Sequence, residues 1–233
     1  MENLYESNGL VFWTEEEIRL RRMFEEHFVK ALSLNLKTQN PGFELIQVEA
    51  PLITPHELIN PNYNGSDLYE IPDLNEMATH SEFVLRPETT MGSYKALEFF
   101  LNTHHDRKYR LPLVVWQHGK SFRREQDQPT KFMRLKEFYQ LEFQIAYSQT
   151  TMNDYSVKLI PAVQRAISEM IGPCRLEASD RLPDYSELTM DIVCEQSNME
   201  VCSISKRKDF PTAKILEVAI GTDRCIYNFQ NKV

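Results

Sequence analysis

From Phe138 to Tyr147 the chain alternates without a break, with Tyr139, Leu141, Phe143, Ile145 and Tyr147 set against Gln140, Glu142 and Gln144. A run of that length at period two is satisfied as a β-strand that lays one apolar face on a core and turns a polar face the other way. The polar face has two readings: a wetted outer surface, as antiparallel sheets commonly have, or the floor of a cavity. The rest of the chain bears on that choice.

Thr14-Glu15-Glu16-Glu17 is a capping box, in which the Thr oxygen takes an orphan amide and Glu17 reaches back. It opens a helix whose apolar positions Ile18, Leu20, Met23, Phe24, Val29 and Leu32 follow helical spacing. Residues 42–49 read as a strand that stops at Pro51, and 60–73, rich in Asn, Pro and Gly, as a loop. Arg86-Pro87-Glu88 starts a second helix through Tyr94, Leu97 and Phe100, with Pro87 suited to a first turn. Strands follow at 113–117, 121–125 and 138–147, with a polar hairpin loop over 126–134. A helix over 152–171, bent near Pro161 and ended by Gly172, leads to strands at 190–195, 199–205 and 215–219 and a last helix from Gly221. Strands in runs with helices set apart predict an α+β fold, an antiparallel sheet flanked by helices. At 233 residues one domain over 1–233 is expected.

Composition excludes more than it assigns. A net charge of −8 argues against a general nucleic-acid coat, and no DNA partner is expected. Local basic clusters remain informative, because charges farther apart than about 8 Å are screened. The cysteines at 174, 194, 202 and 225 have no metal or disulfide spacing and read as buried thiols. There is no apolar run of membrane-spanning length and no signal peptide, so no membrane partner and a cytoplasmic location are expected. No glycine-rich phosphate loop is present.

Two constellations carry chemistry. Glu88, Glu142, Glu200 and Glu217 lie in or beside apolar stretches, and if their strands share a sheet they converge on a cavity that attracts an ammonium group. Arg123 and Arg124 end one strand while Arg134 and Lys136 begin the next, a grouping that suits phosphate as well as it suits an ordinary charged hairpin. Phe138 offers a face for a purine. Arg224 lies in the first turn of the last helix, which Gly221 is expected to let approach closely, so amides and guanidinium form an anion site.

With these residues in place the chain resembles the catalytic domain of class II aminoacyl-tRNA synthetases, and within them the glycyl enzymes of the single-chain dimeric type. GFELIQVEAPLITP is similar to motif 1 (about 42–53), with Pro51 at its hallmark proline, and FVLRPETTMG is close to the family's LRPETAQG segment. KSFRREQDQPTKFMRLKEFYQLE resembles motif 2 (about 119–144), and TMDIVCEQSNMEVCSISKRKDF resembles the segment before motif 3, with Glu200 at its acid position. EVAIGTDR resembles motif 3 (about 215–229), written EPSAGVDR in many members. The match runs along essentially the whole chain.

The resemblance implies ATP-dependent activation of a small amino acid, glycine first, as the aminoacyl-adenylate, with Mg²⁺ and transfer to the tRNA acceptor end. It implies that Arg123 binds the α-phosphate, Glu125 meets the adenine amino group, Phe138 stacks on adenine and Arg224 holds the γ-phosphate end. Arg124, Met133, Arg134, Leu135, Lys136, Glu137, Glu200, Val201, Gly221, Thr222 and Asp223 complete the implied ATP contacts. Glu88, Phe138, Tyr139, Gln140, Leu141, Glu142, Glu217, Val218, Ala219, Ile220 and Gly221 make up the implied amino-acid site, and Glu200 and Glu217 the magnesium ligands. Adenylation needs no protein nucleophile, since the amino-acid carboxylate attacks the α-phosphate, so the protein supplies position and positive charge.

Ala219 stands where the glycyl enzymes have a serine, Val218 where they have proline, and Lys136 where they have arginine, so another small amino acid stays open. The chain ends at Val233, and no anticodon-binding domain is expected. A homodimer is implied through motif 1. The basic candidates for RNA backbone are 126–131, 104–110 and Lys206-Arg207-Lys208. Two other functions stay open: activation for a non-tRNA acceptor such as a carrier protein or small molecule, and a non-catalytic accessory role.

Overall fold

The computed structural model describes residues 9–72, 82–102, 109–124, 134–180 and 182–232. Helix α1 (Glu15–Gln39) begins at the capping box, with Thr14 N–H on Glu17 at 2.9 Å, and buries Leu20, Phe24, Phe28, Leu32 and Leu36 on one stripe. That stripe, with α3 (Ser156–Ile171) and α4 (Thr222–Gln230), covers one face of the main sheet. The opposite face takes α2 (Thr90–Asn102), where Tyr94 and Leu97 meet Leu113, Val115, Ala146 and Ile215.

The main sheet has seven strands: β1 (Glu44–Gln47), β5 (Leu113–Phe122), β6 (Glu137–Tyr147), β7 (Cys174–Ala178), β8 (Ser186–Cys194), β9 (Met199–Arg207) and β10 (Lys214–Gly221). Their order is β1-β5-β6-β10-β9-β8-β7, antiparallel throughout except that β1 runs parallel to β5. A small sheet of β2 (Ile53–Pro55), β4 (Phe83–Leu85) and β3 (Tyr69–Ile71) stands beside it. The alternation of β6 is realised as expected: Leu141, Phe143, Ile145 and Tyr147 join the core beneath α1 and α3. Truncating the fully buried Phe143 to Ala is expected to cost about 3–5 kcal/mol. All four cysteines are buried and reduced.

Several expectations are corrected. The strands read at 113–117 and 121–125 are one, because Gly119 lies inside the β5–β6 ladder opposite Gln140, and β5 ends at Phe122. Gly119 has a packing reason: a Cβ there would lie 2.2 Å from Arg86 Nη2. Helix α2 begins at Thr90, past the Arg86-Pro87-Glu88 run, because Arg86 is held extended. Its amide donates to Leu52 O at 2.8 Å and its carbonyl accepts Phe122 N–H at 3.0 Å. Its guanidinium is drawn inward onto Lys120 O (2.8 Å), Ala50 O (2.7 Å) and Gln117 Oε1 (3.2 Å). Helix α3 starts at Ser156, later than expected, because Asp154 takes the Ser156 N–H and hydroxyl and turns the chain first. Strand β3 falls inside 60–73, expected as a loop, β7 has no counterpart among the expected elements, and the hairpin loop over 126–134 lies, except for Arg134, outside the described residues.

Candidate active site

The polar face of β6 is a cavity floor. The ladders set Glu142, Ala219, Ser203 and Asp191 opposite one another in one row across four strands, and Gln144, Glu217, Ser205 and Thr189 in the next. Above these rows opens a cavity of about 700 Å³, closed at the sides by Tyr63, Glu88, Arg123 and Tyr185. Its size is that of an ordinary small-molecule site.

One end is acidic and tightly bonded. Glu142 accepts from Thr89 Oγ1 and from Gln144 Nε2, both at 2.7 Å. Glu217 Oε2 takes Gln144 Nε2 at 2.6 Å, Thr90 Oγ1 at 3.1 Å and Arg207 Nη1 at 3.0 Å. Arg207 is fixed in turn by Asp209, at 2.6 and 3.1 Å, and lies 4.0 Å over the Tyr185 ring. Glu88 accepts from Tyr63 OH at 3.2 Å through Oε2, while its Oε1 is buried without a hydrogen-bond partner among the described residues. Burial, then the neighbouring Glu217, pushes the Glu142 carboxyl up to about 8, and burial raises Glu88 as well, against the pull of Arg207 and Arg123. A cation that enters beside such carboxyls stabilises their ionised form, and the proton leaves to solvent.

The other end is cationic and open. β5 and β6 stay paired past their ladder, Arg123 N–H donating to Lys136 O at 2.9 Å, so Arg123 and Phe138 sit side by side with the guanidinium 5.2 Å from the ring centroid. Arg123 Nε donates to Pro87 O at 3.0 Å. Arg224 enters from the first turn of α4, its Nη1 on Glu200 O at 2.8 Å. Arg134, Leu135, Val201, Gly221 and Asp223 complete this wall. Burial lifts the Asp223 carboxyl to about 7, although Oδ2 accepts Tyr139 N–H at 2.8 Å.

The cavity thus brings together Arg123, Arg134, Leu135, Phe138, Tyr139, Gln140, Glu142, Glu88, Glu200, Val201, Glu217, Ala219, Gly221, Asp223 and Arg224 among the expected residues. It does not gather all of them. Leu141, Val218 and Ile220 turn into the core, because the alternation that aims their neighbours at the floor aims them away. Arg124 is exposed, Lys136 lies outside the lining, Glu137 pairs with Lys120 and Thr222 is buried beneath the floor. Glu125 and Met133 lie outside the described residues. Gly221 is no steric necessity, since a Cβ there meets Val201 O at an ordinary 3.6 Å. Of the two expected magnesium ligands, Glu217 has Oε2 taken by three donors, and Glu200 is the exposed one. Among the described residues no group of three or more His, Cys, Asp or Glu is arranged to hold a metal.

Sequence reasoning missed Arg207, Tyr63, Tyr185 and Thr90. Arg207 was legible: period two from Ser203 and Ser205 puts it on the cavity face, but β9 was ended at Ser205 and Lys206-Arg207-Lys208 read as a basic surface run. Lys206 is in fact paired with Asp154 at 2.6 Å and Arg207 is buried, which removes that run as an RNA candidate. Of the other RNA candidates, 126–131 and 104–108 lie outside the described residues.

A mixed sheet with an acidic chamber at one end of a cleft and arginines at the other defines a catalytic core of the class II aminoacyl-tRNA synthetase kind. The chain belongs to that family: the one described as tRNA synthetase class II core domain (G, H, P, S and T) has a model that matches residues 74–220. It is 30% identical over 113 residues to a glycine–tRNA ligase of Mycoplasmopsis synoviae, covering 46% of this chain and 24% of that one. It is 25% identical over 190 residues to the glycine–tRNA ligase of Bacillus thuringiensis subsp. konkukian, covering 72% and 40%. The chain therefore spans well under half the length of these relatives. In fold it is similar to the prolyl-tRNA synthetase of Cryptosporidium parvum solved with halofuginone and AMPPNP, with a TM-score of 0.68 at 12% identity over 95% of this chain and 47% of that one. It is also similar to the pyrrolysyl-tRNA synthetase of Desulfitobacterium hafniense, with a TM-score of 0.64 at 17% identity over 91% and 70%. Among the described residues no helix is long and apolar enough to cross a membrane.

Proposed function

We propose that the chain activates a small amino acid with ATP, glycine being the first candidate, and passes the aminoacyl group to the acceptor end of a tRNA. The observation that carries this reading is the polarity of the larger cleft. Arg123, just past β5, and Arg224 of α4 line one end together with Phe138, and Glu88, Glu142 and Glu217 line the other. ATP folds into the cationic end with its purine on Phe138, its α-phosphate on Arg123 and its γ-phosphate end on Arg224. The ammonium group of the amino acid enters the acidic end, where Glu88 has a buried oxygen without a hydrogen-bond partner among the described residues and Glu142 ionises to pair with it, its proton passing to solvent. The carboxylate of that amino acid attacks the α-phosphorus, the bond to the β-phosphate oxygen breaks, and pyrophosphate leaves. Arg123 neutralises charge that grows on the α-phosphoryl oxygens.

Glu200, exposed at the cationic end beside Asp191, offers oxygen donors of the kind Mg²⁺ takes together with phosphates and water. Bound there, the ion would shield the triphosphate charge. Ala219 lies on the floor between Glu142 and Ser203, and glycine as the first candidate rests on the likeness to glycine–tRNA ligases. A homodimer through motif 1 agrees with an apolar cleft of about 320 Å³ between Val48–Ile59 and α2, flanked by exposed Leu52, Ile53 and Phe83.

Pyrophosphate exchange into ATP across a panel of amino acids tests the reading. Exchange with glycine and little with larger residues is the expected result. No exchange with any amino acid overturns activation, and exchange without charging of total tRNA moves the acceptor elsewhere.

A further inference from the structure

Beneath the cationic end a line of hydrogen bonds joins four elements and plays no part in the chemistry above. Glu25 of α1 takes Nδ1 of His118 on β5 at 2.6 Å. The other ring nitrogen, Nε2, lies 3.0 Å from the hydroxyl of Thr222, the first residue of α4. Thr222 in turn donates to the Tyr139 carbonyl of β6 at 3.2 Å, and Asp223 accepts the Tyr139 N–H at 2.8 Å. Both polar backbone groups of Tyr139 are thus held by consecutive residues of α4. Phe138 is one residue before the tie and Arg224 one residue after it.

A carboxylate, an imidazole and a hydroxyl in line have the layout of a nucleophilic triad. Burial excludes that use. Thr222 is 0% exposed and does not line the cavity, and the His118 side chain is 5% exposed. A group sealed from substrate that touches a site-forming helix through one hydroxyl can act only by holding that helix in place. Two other charged groups stand around the tie: Lys120, paired with Glu137, and Arg21, which lies 3.8 Å over the Tyr139 ring, acts electrostatically on Glu25 and has a buried Nη1 without a hydrogen-bond partner among the described residues.

We propose that His118, anchored by Glu25, is a positioning residue for the nucleotide: through Thr222 it sets the spacing between Phe138 and Arg224. The proposal rests on the ATP reading of the cleft. Stacking and guanidinium contacts fall off steeply when the two walls shift by an ångström, and one buried hydrogen bond lost at such a tie amounts to about tenfold in affinity.

The test uses Thr222→Val, which keeps shape and removes the hydroxyl, Thr222→Ser, which restores it, and Glu25→Ala, whose site is 29% exposed and tolerates truncation. ATP affinity by calorimetry and KM for ATP in exchange should each worsen about tenfold in Thr222→Val and Glu25→Ala, with KM for the amino acid within about twofold. Thr222→Ser should return to near wild type, a recovery that loss of mere packing does not give. Without nucleotide, the Tyr139 amide should exchange its hydrogen faster in Thr222→Val. Folded variants that bind ATP as the wild type does overturn this inference alone. A wild-type chain that fails to bind ATP overturns the nucleotide reading and this inference with it.

Discussion

The two ends of the cleft are built on opposite terms. At the acidic end the side chains are buried and held before anything binds: Glu142, Gln144, Glu217, Arg207 and Asp209 form one connected run of hydrogen bonds. At the cationic end the guanidinium groups reach backbone carbonyls, Arg123 Nε donating to Pro87 O and Arg224 Nη1 to Glu200 O, with no counterpart of the connected carboxylate run among the described residues. The difference follows from the ligands each end suits. A triphosphate carries its own charge and breadth, and guanidinium groups can close on it. A small amino acid offers few atoms to grip, so selectivity depends on a chamber already rigid when it arrives.

If that contrast is right, perturbing the cationic end removes rate while leaving the fold alone. Arg123→Ala is expected to cost on the order of 3 kcal/mol at the transition state, about a hundredfold or more in pyrophosphate exchange. Its circular dichroism and melting temperature should match wild type; near-normal exchange would break the assignment.

Perturbing the acidic end should move stability and function in opposite directions. Burial holds the Glu142 carboxyl up at about 8 against its ordinary 4.5, so the folded chain keeps a proton that the unfolded chain has lost. Between those values stability falls as pH rises, because the unfolded state binds fewer protons there. Glu142→Gln removes the penalty. It should melt higher than wild type, with the gap wider at pH 8 than at pH 5, while KM for the amino acid rises tenfold or more. In the wild type, affinity for the amino acid should increase from pH 6 to about pH 8 as Glu142 ionises to meet the ammonium group. A pH-independent gap would show that the acidic end is not electrostatically loaded.

Phe138→Ala gives a smaller effect. Stacking of a base on an aromatic ring is worth about 1–3 kcal/mol, so KM for ATP should rise about tenfold with KM for the amino acid unchanged. The smallest change expected is at Lys206→Ala, outside both ends: an exposed pair with Asp154 contributes less than about 1 kcal/mol. Exchange and tRNA charging should both be preserved there.

The same contrast explains what could be read in the letters. Period-two alternation revealed β6 and its polar face, and the Thr14 box revealed α1, since each is fixed by neighbours in sequence. Which way the face looked depended on partners: Glu142 meets Ala219 and then Ser203 only through ladders that span seventy-odd residues. Arg86 shows the limit most clearly. Its local pattern, Arg-Pro-Glu before an apolar period, favours a helix start, but three distant carbonyl oxygens pull the guanidinium inward and delay the helix to Thr90. Arg207 shows the reverse, a strand residue lost among flanking lysines. Residues whose neighbours decide them were legible, and residues decided by distant partners were not.

A crystal structure with glycine and a non-hydrolysable ATP analogue tests the central claim, a single cleft that joins phosphate to amine. The purine is expected on Phe138, the α-phosphate on Arg123, the γ-phosphate end on Arg224 and the glycine nitrogen within hydrogen-bond reach of Glu88 or Glu142. A nucleotide bound elsewhere, with Arg123 and Arg224 away from its phosphates and the acidic chamber empty, would contradict it.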